Sequence, residues 1–289
     1  GEVTDKLIGH YGQYSGDVGL IFVEHSYVLS GGKYSPDQLG IDKDSLVPGL
    51  RNLAKSCQKG GTRAIIQLNH AGLKSEGIKL NLLDFDYEGS LTKYSRKELD
   101  RIVSSFRKAS RRATNAGFNG IELHGAHGFL LSQFVSPITN DRTDSYGKTL
   151  EDRLRFPLNI VKAVRKEIED GILSYRLGVT DLDPRGFTID DAKIFARKLE
   201  QQGVDIIDVS GGLCGSSPEK LEGERGYFIS QAREIAEVVT IPVIGVGGIT
   251  DSDFANKLVT SGKVDMVAVG RAQFKDPEWA NKAVTKLSR

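Results

Sequence analysis

The stretch IPVIGVGGITDSDFANKLVTSGKVDMVAVGR, residues 241–271, decides how the chain folds. Two β-branched runs, Ile241–Gly247 and Val264–Gly270, flank a segment of helical period. Asp251 opens that segment, Phe254, Ala255 and Leu258 share one face, and Gly262 follows its end. Both runs are almost continuously apolar, the pattern of parallel strands covered on both faces. Each closes on glycine: Gly247-Gly248 after the first, Gly270-Arg271 after the second. Glycine lets backbone N–H groups approach a phosphate, and an arginine adds charge and a forked donor. The bland alternative is a pair of tight turns with a surface arginine. A closed (β/α)8 barrel binds phosphate at the ends of its last two strands. An open nucleotide-binding sheet instead places GxGxxG after its first strand, and none stands there. The barrel is the expected fold.

The same unit repeats upstream. Strands are expected over Val18–Glu24, Arg63–Asn69, Phe118–His124, Ile172–Val179 and Val204–Ser210. With the last two they make seven, whereas a barrel needs eight. The helices between them have legible ends. Ser95 and Glu98 form a capping-box pattern ahead of Leu99, Ile102, Val103, Phe106, Ala109 and Ala113, with Gly117 as the stop. Thr188 opens another, with Ala192, Phe195, Ala196 and Leu199 inward and Gly203 after it. Pro157 interrupts the pattern from Leu150 to Ile168, where a kink or a restart is expected. No linker or low-complexity tract divides the chain, so residues 1–289 read as a single domain.

Composition narrows the class. The chain carries 39 Lys+Arg against 38 Asp+Glu, which leaves no footprint for nucleic acid or an anionic membrane. No apolar run reaches the 18 residues or so of a membrane span, and no basic-then-apolar leader is seen. The two cysteines, Cys57 and Cys214, cannot build a disulfide framework or a four-cysteine metal site. A cytoplasmic protein acting on a small molecule is expected.

Three positions carry chemistry. His124-Gly125-Ala126-His127 follows the strand FNGIELH, and two imidazoles at a strand's carboxyl end can clamp one carbonyl or nitro oxygen. The alternative is a pair of histidines bonded within a loop, and a zinc site would need a further ligand at recognisable spacing. Arg176 lies inside the apolar strand ILSYRLGV, where a guanidinium needs an anion or an electron-rich acceptor. A salt bridge to Asp181 or Asp183 would also satisfy it. Gln67 in IIQLN puts an amide near the same mouth.

IIQLNHAG at 65–72, GFNGIELHGAHGFLLSQFVSPITNDRTDSYG at 117–147 and VAVGRAQFKDP at 267–277 together resemble the Old Yellow Enzyme family. That family comprises FMN-dependent ene reductases and NAD(P)H:flavin oxidoreductases on a (β/α)8 barrel. The resemblance implies that Gln67 meets the flavin pyrimidine edge and that Arg176 stands beside flavin N1 and O2. It implies that Gly247, Gly248, Gly270 and Arg271 hold the FMN phosphate, and that His124 and His127 grip the substrate's activating oxygen. NAD(P)H would reduce FMN and leave, and hydride would pass from flavin N5 to the β-carbon of an activated alkene. Relatives commonly form dimers or tetramers, so a homo-oligomer is expected.

Four departures qualify the likeness. Phe129 stands where many relatives have a proton-donating tyrosine, and Leu73 where arginine is common. His25 replaces a small residue near the flavin, where it would bond the ring or crowd it. Gly1 aligns inside the family pattern, past its first barrel strand, so an N-terminally incomplete barrel is expected. Two other readings follow from these features. One is a flavin-free phosphate-binding lyase or isomerase, needing a Schiff-base lysine or a carboxylate pair that Glu24 and Asp181 would have to supply. The other is a truncated, non-catalytic subunit.

Overall fold

The computed structural model describes residues 1–77, 89–221 and 223–288. Helix α1 (Asp5–Gly12) leads to strand β1 (Leu20–Tyr27), α2 (Val47–Cys57) and β2 (Arg63–Asn69). Then come α3 (Arg96–Ala116), β3 (Gly120–Gly125), α4 (Leu130–Val135), α5 (Leu150–Ile168) and β4 (Ile172–Gly178). The chain continues through α6 (Ile189–Gln201), β5 (Ile206–Ser210), α7 (Ile229–Ala236), β6 (Val243–Gly245), α8 (Ser252–Thr260) and β7 (Met266–Val267). It ends in α9 (Arg271–Lys275) and α10 (Trp279–Leu287). No helix of the described residues is long and apolar enough to cross a membrane.

All seven expected strands form, every pair is parallel, and their order in the sheet is their order in the sequence. The helices pack on one another in sequence too: α1 on α2, α2 on α3, α3 on α5, α5 on α6, α6 on α7. A doubly wound sheet would divide its helices between two faces, so this sheet curls inside a single helical layer. The core lies between sheet and helices, with Ile66, Leu68, Ile121, Leu123, Leu173 and Tyr175 pointing outward into it. Across the seam, the rings of His10 in α1 and Phe274 in α9 lie 5.3 Å apart. Asn281 of α10 donates to Asp17, ahead of β1, at 3.0 Å. The helical layer therefore meets itself, while no pairing joins β7 to β1 among the described residues. The eighth strand of the expected barrel and its closure are not part of this sheet.

Two local expectations change. A single helix runs through Pro157 without a restart, since proline removes one donor and the ladder continues on both sides. Thr149 and Asp152 also give that helix a capping box. In β1, Val23 pairs with Ile66 and Ser26 with Leu68, so Glu24 and His25 together oppose Gln67 in a β-bulge. The bulge extends the strand to Tyr27, past the expected end at Glu24.

Candidate functional site

Strand register assembles the site. Gln67 on β2 stands opposite Glu122 on β3, which stands opposite Ser174 on β4. One layer nearer the strand ends, His124 faces Arg176, and Arg176 faces Asp208 on β5. Alternation then puts both layers on the inner face of the curled sheet. The inner layer is closed on itself: Gln67 Nε2 donates to Glu122 Oε1 at 2.6 Å, and Ser174 Oγ donates to Glu122 Oε2 at 2.9 Å.

Arg176 does not pair with Asp181 or Asp183. Its Nε lies 3.3 Å from Asp208 Oδ2, an ion pair whose angle leaves Nε without a hydrogen bond, and its side chain is 25% exposed. Glu122 and Asp208 are both buried beside this one cation. Burial raises the pKa of each carboxyl, and Arg176 offsets part of that effect. Arg176 can balance one negative charge. Asp208 touches it, and burial together with the neighbouring Asp208 pushes Glu122 up to about 8. Neither acid stands out in the sequence, although Glu122 sits two residues before His124 and so must share its face.

His124 and His127 come together as expected, with ring centroids 4.9 Å apart and planes at 85°. His127 adopts φ 56°, donates its N–H to Gly211 O at 3.0 Å, and places Nε2 2.7 Å from Ser210 Oγ. An acceptor oxygen arriving at that nitrogen must displace the hydroxyl. His124 Nδ1 is buried with no partner. Burial, with the nearby positive groups, pushes both imidazoles well below the usual histidine range, so both are neutral.

His25 joins this group through the bulge, 5.9 Å from His124 and 5.1 Å from Phe129 between centroids. Gln38 Oε1 accepts Tyr34 N–H at 2.7 Å, while its Nε2 donates to His25 O at 2.9 Å and meets His25 Nδ1 at 2.8 Å. The two outer bonds fix the amide's orientation, so Nδ1 accepts and the ring proton is on Nε2. Burial, then the charge of Arg176, lowers its pKa to about 4. Phe129 is ringed by His25, Tyr34 and His124, with Lys74 Nζ 5.8 Å from its centroid. Sequence reasoning misses Tyr34, Gln38 and Lys74, because loop residues carry no periodicity that aims them.

The glycine ends also come side by side, Gly245 opposite Val267. Gly247 at φ 119° and Gly248 at φ 62° adopt left-handed backbone; a Cβ on Gly247 would lie 2.8 Å from the Tyr227 ring. Arg271 is exposed and donates to Ser217 Oγ at 3.3 Å and Tyr227 OH at 3.1 Å. The carboxylates required by a flavin-free lyase do not meet. Glu24 accepts from Tyr11 at 3.5 Å on the sheet's outer side, and Asp181 accepts from Ser136, Phe187 and Leu213 as a loop anchor.

A flavin fits the remaining requirements. Among the described residues seven buried side-chain atoms lack a partner, and Asn69 Oδ1, His124 Nδ1, Arg176 Nε and Asp208 Oδ1 gather at these strand ends. Such a cluster needs a polar ligand with both donors and acceptors.

The chain is 38% identical over 298 residues to an NADH oxidase of Thermoanaerobacter brockii, covering 98% of this chain and 46% of that protein. It is 35% identical over 293 residues to an NADPH dehydrogenase of Bacillus cytotoxicus, covering 99% and 84%. It thus spans about half the length of the first relative and most of the second. Among solved structures, a 2-naphthoyl-CoA reductase complex superposes at TM-score 0.88 with 24% identity, over 99% of this chain and 47% of that one. Histamine dehydrogenase from Rhizobium sp. 4-9 superposes at 0.84 with 26% identity, over 97% and 43%. Residues 1–289 match the family model as a whole, and the chain belongs to the NADH:flavin oxidoreductase / NADH oxidase family, whose members depend on FMN and draw on NAD(P)H.

Proposed function

We propose that this protein reduces alkenes conjugated to a carbonyl or nitro group, taking hydride from NAD(P)H through FMN. The observation that supports this reading most directly is the pair of neutral imidazoles at the end of β3, one with a buried nitrogen awaiting a partner. A neutral imidazole donates one hydrogen bond without adding net charge, which polarises a carbonyl while leaving room for an enolate to form. Bound FMN supplies the two-electron relay between reductant and alkene. Gln67 has one amide N–H committed to Glu122, which leaves its carbonyl oxygen and second N–H as the groups that would meet the flavin pyrimidine edge. Arg176 brings positive charge to the N1–O2 side, anchored by Asp208. Gly247, Gly248, Gly270 and Arg271 hold the phosphate, with Arg271 already oriented by Ser217 and Tyr227. His25 presents Nε2–H at the ring edge, which makes it a donor in place of the small residue of relatives. The protein is then a homo-oligomer of the cytoplasm acting on a small molecule.

Anaerobic titration tests this. The protein should take up FMN, lose the oxidised flavin absorbance on adding NADH or NADPH, and regain it on adding 2-cyclohexenone or a nitroalkene. Flavin that is reduced by the nicotinamide but ignores every activated alkene would overturn the alkene assignment. Failure to take up FMN would overturn the whole reading.

A further inference from the structure

Hydride addition to a β-carbon leaves an electron pair that must capture a proton at the α-carbon. Phe129, beside the imidazole pair, has no acidic hydrogen to offer. We propose that Lys74 is the acid of this site, its ammonium delivering the α-proton from above the Phe129 ring; this rests on the alkene-reducing reading given above.

The geometry supports the assignment. Lys74 Nζ is tied to the second clamp residue by donation to His127 O at 3.1 Å, and it stands 5.8 Å from the Phe129 centroid. An ammonium has three donors, so two remain for a ligand whose oxygen sits at the imidazoles. No described carboxylate forms an ion pair with it. Among the described residues, the titratable groups that feel its charge are His124 and His127, from β3 and the loop after it. Neither of these is an anion that would hold its proton. Burial accordingly pulls its pKa below the ordinary lysine range, which makes it the stronger acid. Being half-buried rather than sealed, it can recover its proton from solvent.

The step balances. Hydride arrives at the β-carbon with both electrons of the new C–H bond, and the alkene π pair moves to the α-carbon and the clamped oxygen. The Nζ–H bond breaks, its proton forms the α-C–H bond, and the neutral amine is reprotonated by water. One NAD(P)H and one proton are consumed for each alkene reduced.

Tyr34 is the competing acid, because its ring also packs on Phe129, at 5.3 Å and 82°. The FMN-loaded enzyme and its Lys74→Met, Lys74→Arg and Tyr34→Phe variants separate the two in anaerobic stopped flow. Reoxidation of reduced enzyme by 2-cyclohexenone should slow by about 100-fold or more in Lys74→Met. Lys74→Arg should be nearly as slow, since it restores charge but holds its proton too tightly. The wild-type rate should fall as pH rises through the Lys74 pKa, and that break should vanish in Lys74→Met. A readout independent of turnover is acetic anhydride labelling of Lys74 in the oxidised holoenzyme, followed by mass spectrometry. Bound 4-hydroxybenzaldehyde should protect it. Normal reoxidation in Lys74→Met, loss of the step in Tyr34→Phe, or labelling indifferent to the phenol would each overturn the proposal. A wild-type enzyme that no activated alkene reoxidises instead overturns the reaction itself, and the labelling still reports whether Lys74 faces the ligand.

Discussion

Glu122, buried between Gln67 and Ser174, carries a proton that the unfolded chain would have lost at neutral pH. Burial first, and then the neighbouring Asp208, lift its pKa from the ordinary 4.5 to about 8. Below pH 4.5 both states are protonated; between there and 8 only the folded state is. The contribution of Glu122 to stability therefore falls with rising pH across that window, by up to about 1.4 kcal/mol per pH step of one. His25 runs the other way: lowered from 6.5 to about 4, it removes stability as pH falls through that interval. Urea unfolding at pH 7 and 8.5, above the range where His25, His124 and His127 gain protons in the unfolded chain, should show the first effect in the wild type, and Glu122→Gln should flatten it. A slope unchanged in that variant would mean Glu122 is ionised in the fold. At this scale the sequence is half legible. His124, Arg176 and Gln67 are visible as polar residues interrupting apolar strands, whereas the Arg176–Asp208 pairing depends on register, which no single strand encodes.

Helix ends are the most readable elements, because capping is decided within four residues. Ser95 Oγ accepts Glu98 N–H at 3.3 Å, and Glu98 Oε2 accepts Ser95 N–H at 2.7 Å, as the motif demands. The stripe Leu99, Ile102, Phe106, Ala109 and Ala113 is buried, with Val103 at its margin. Ser95→Ala should then cost about 1 kcal/mol, read as a lower urea midpoint at unchanged slope. An unmoved midpoint would show that the first turn frays regardless of its cap. Strand ends are less legible. The runs at 241–247 and 264–270 shrink to Val243–Gly245 and Met266–Val267. Gly247 leaves extended geometry at φ 119°, and β7 has a partner on one side only. The bulge that turns His25 inward leaves no mark in composition at all. Helices α1 and α4 likewise escape a reading by pattern, being short and placed by what they pack against.

The order of the strands follows from the repeated strand–helix unit, since each helix returns the chain to the neighbouring position with the same hand. Closure is different, because it depends on the two edge strands finding each other, and here α1 and α9 meet where β1 and β7 do not. A ligand held from several strands would change that balance. Gln67 and Arg176 lie on β2 and β4, while Gly247 and Gly270 follow β6 and β7. FMN held as proposed at these positions would tie distant parts of the sheet through one rigid ring and one phosphate. At a hundredfold excess over Kd the linkage is worth about 2.7 kcal/mol, which for a chain of this size raises Tm by about 5 °C. Riboflavin shares the ring but lacks the phosphate, so at equal concentration its shift should be clearly smaller. Arg271→Ala should bring the FMN shift down toward the riboflavin value and leave the riboflavin shift alone. Equal shifts for the two flavins would remove the phosphate site from the carboxyl ends of β6 and β7, and with it the reason for the paired glycines there.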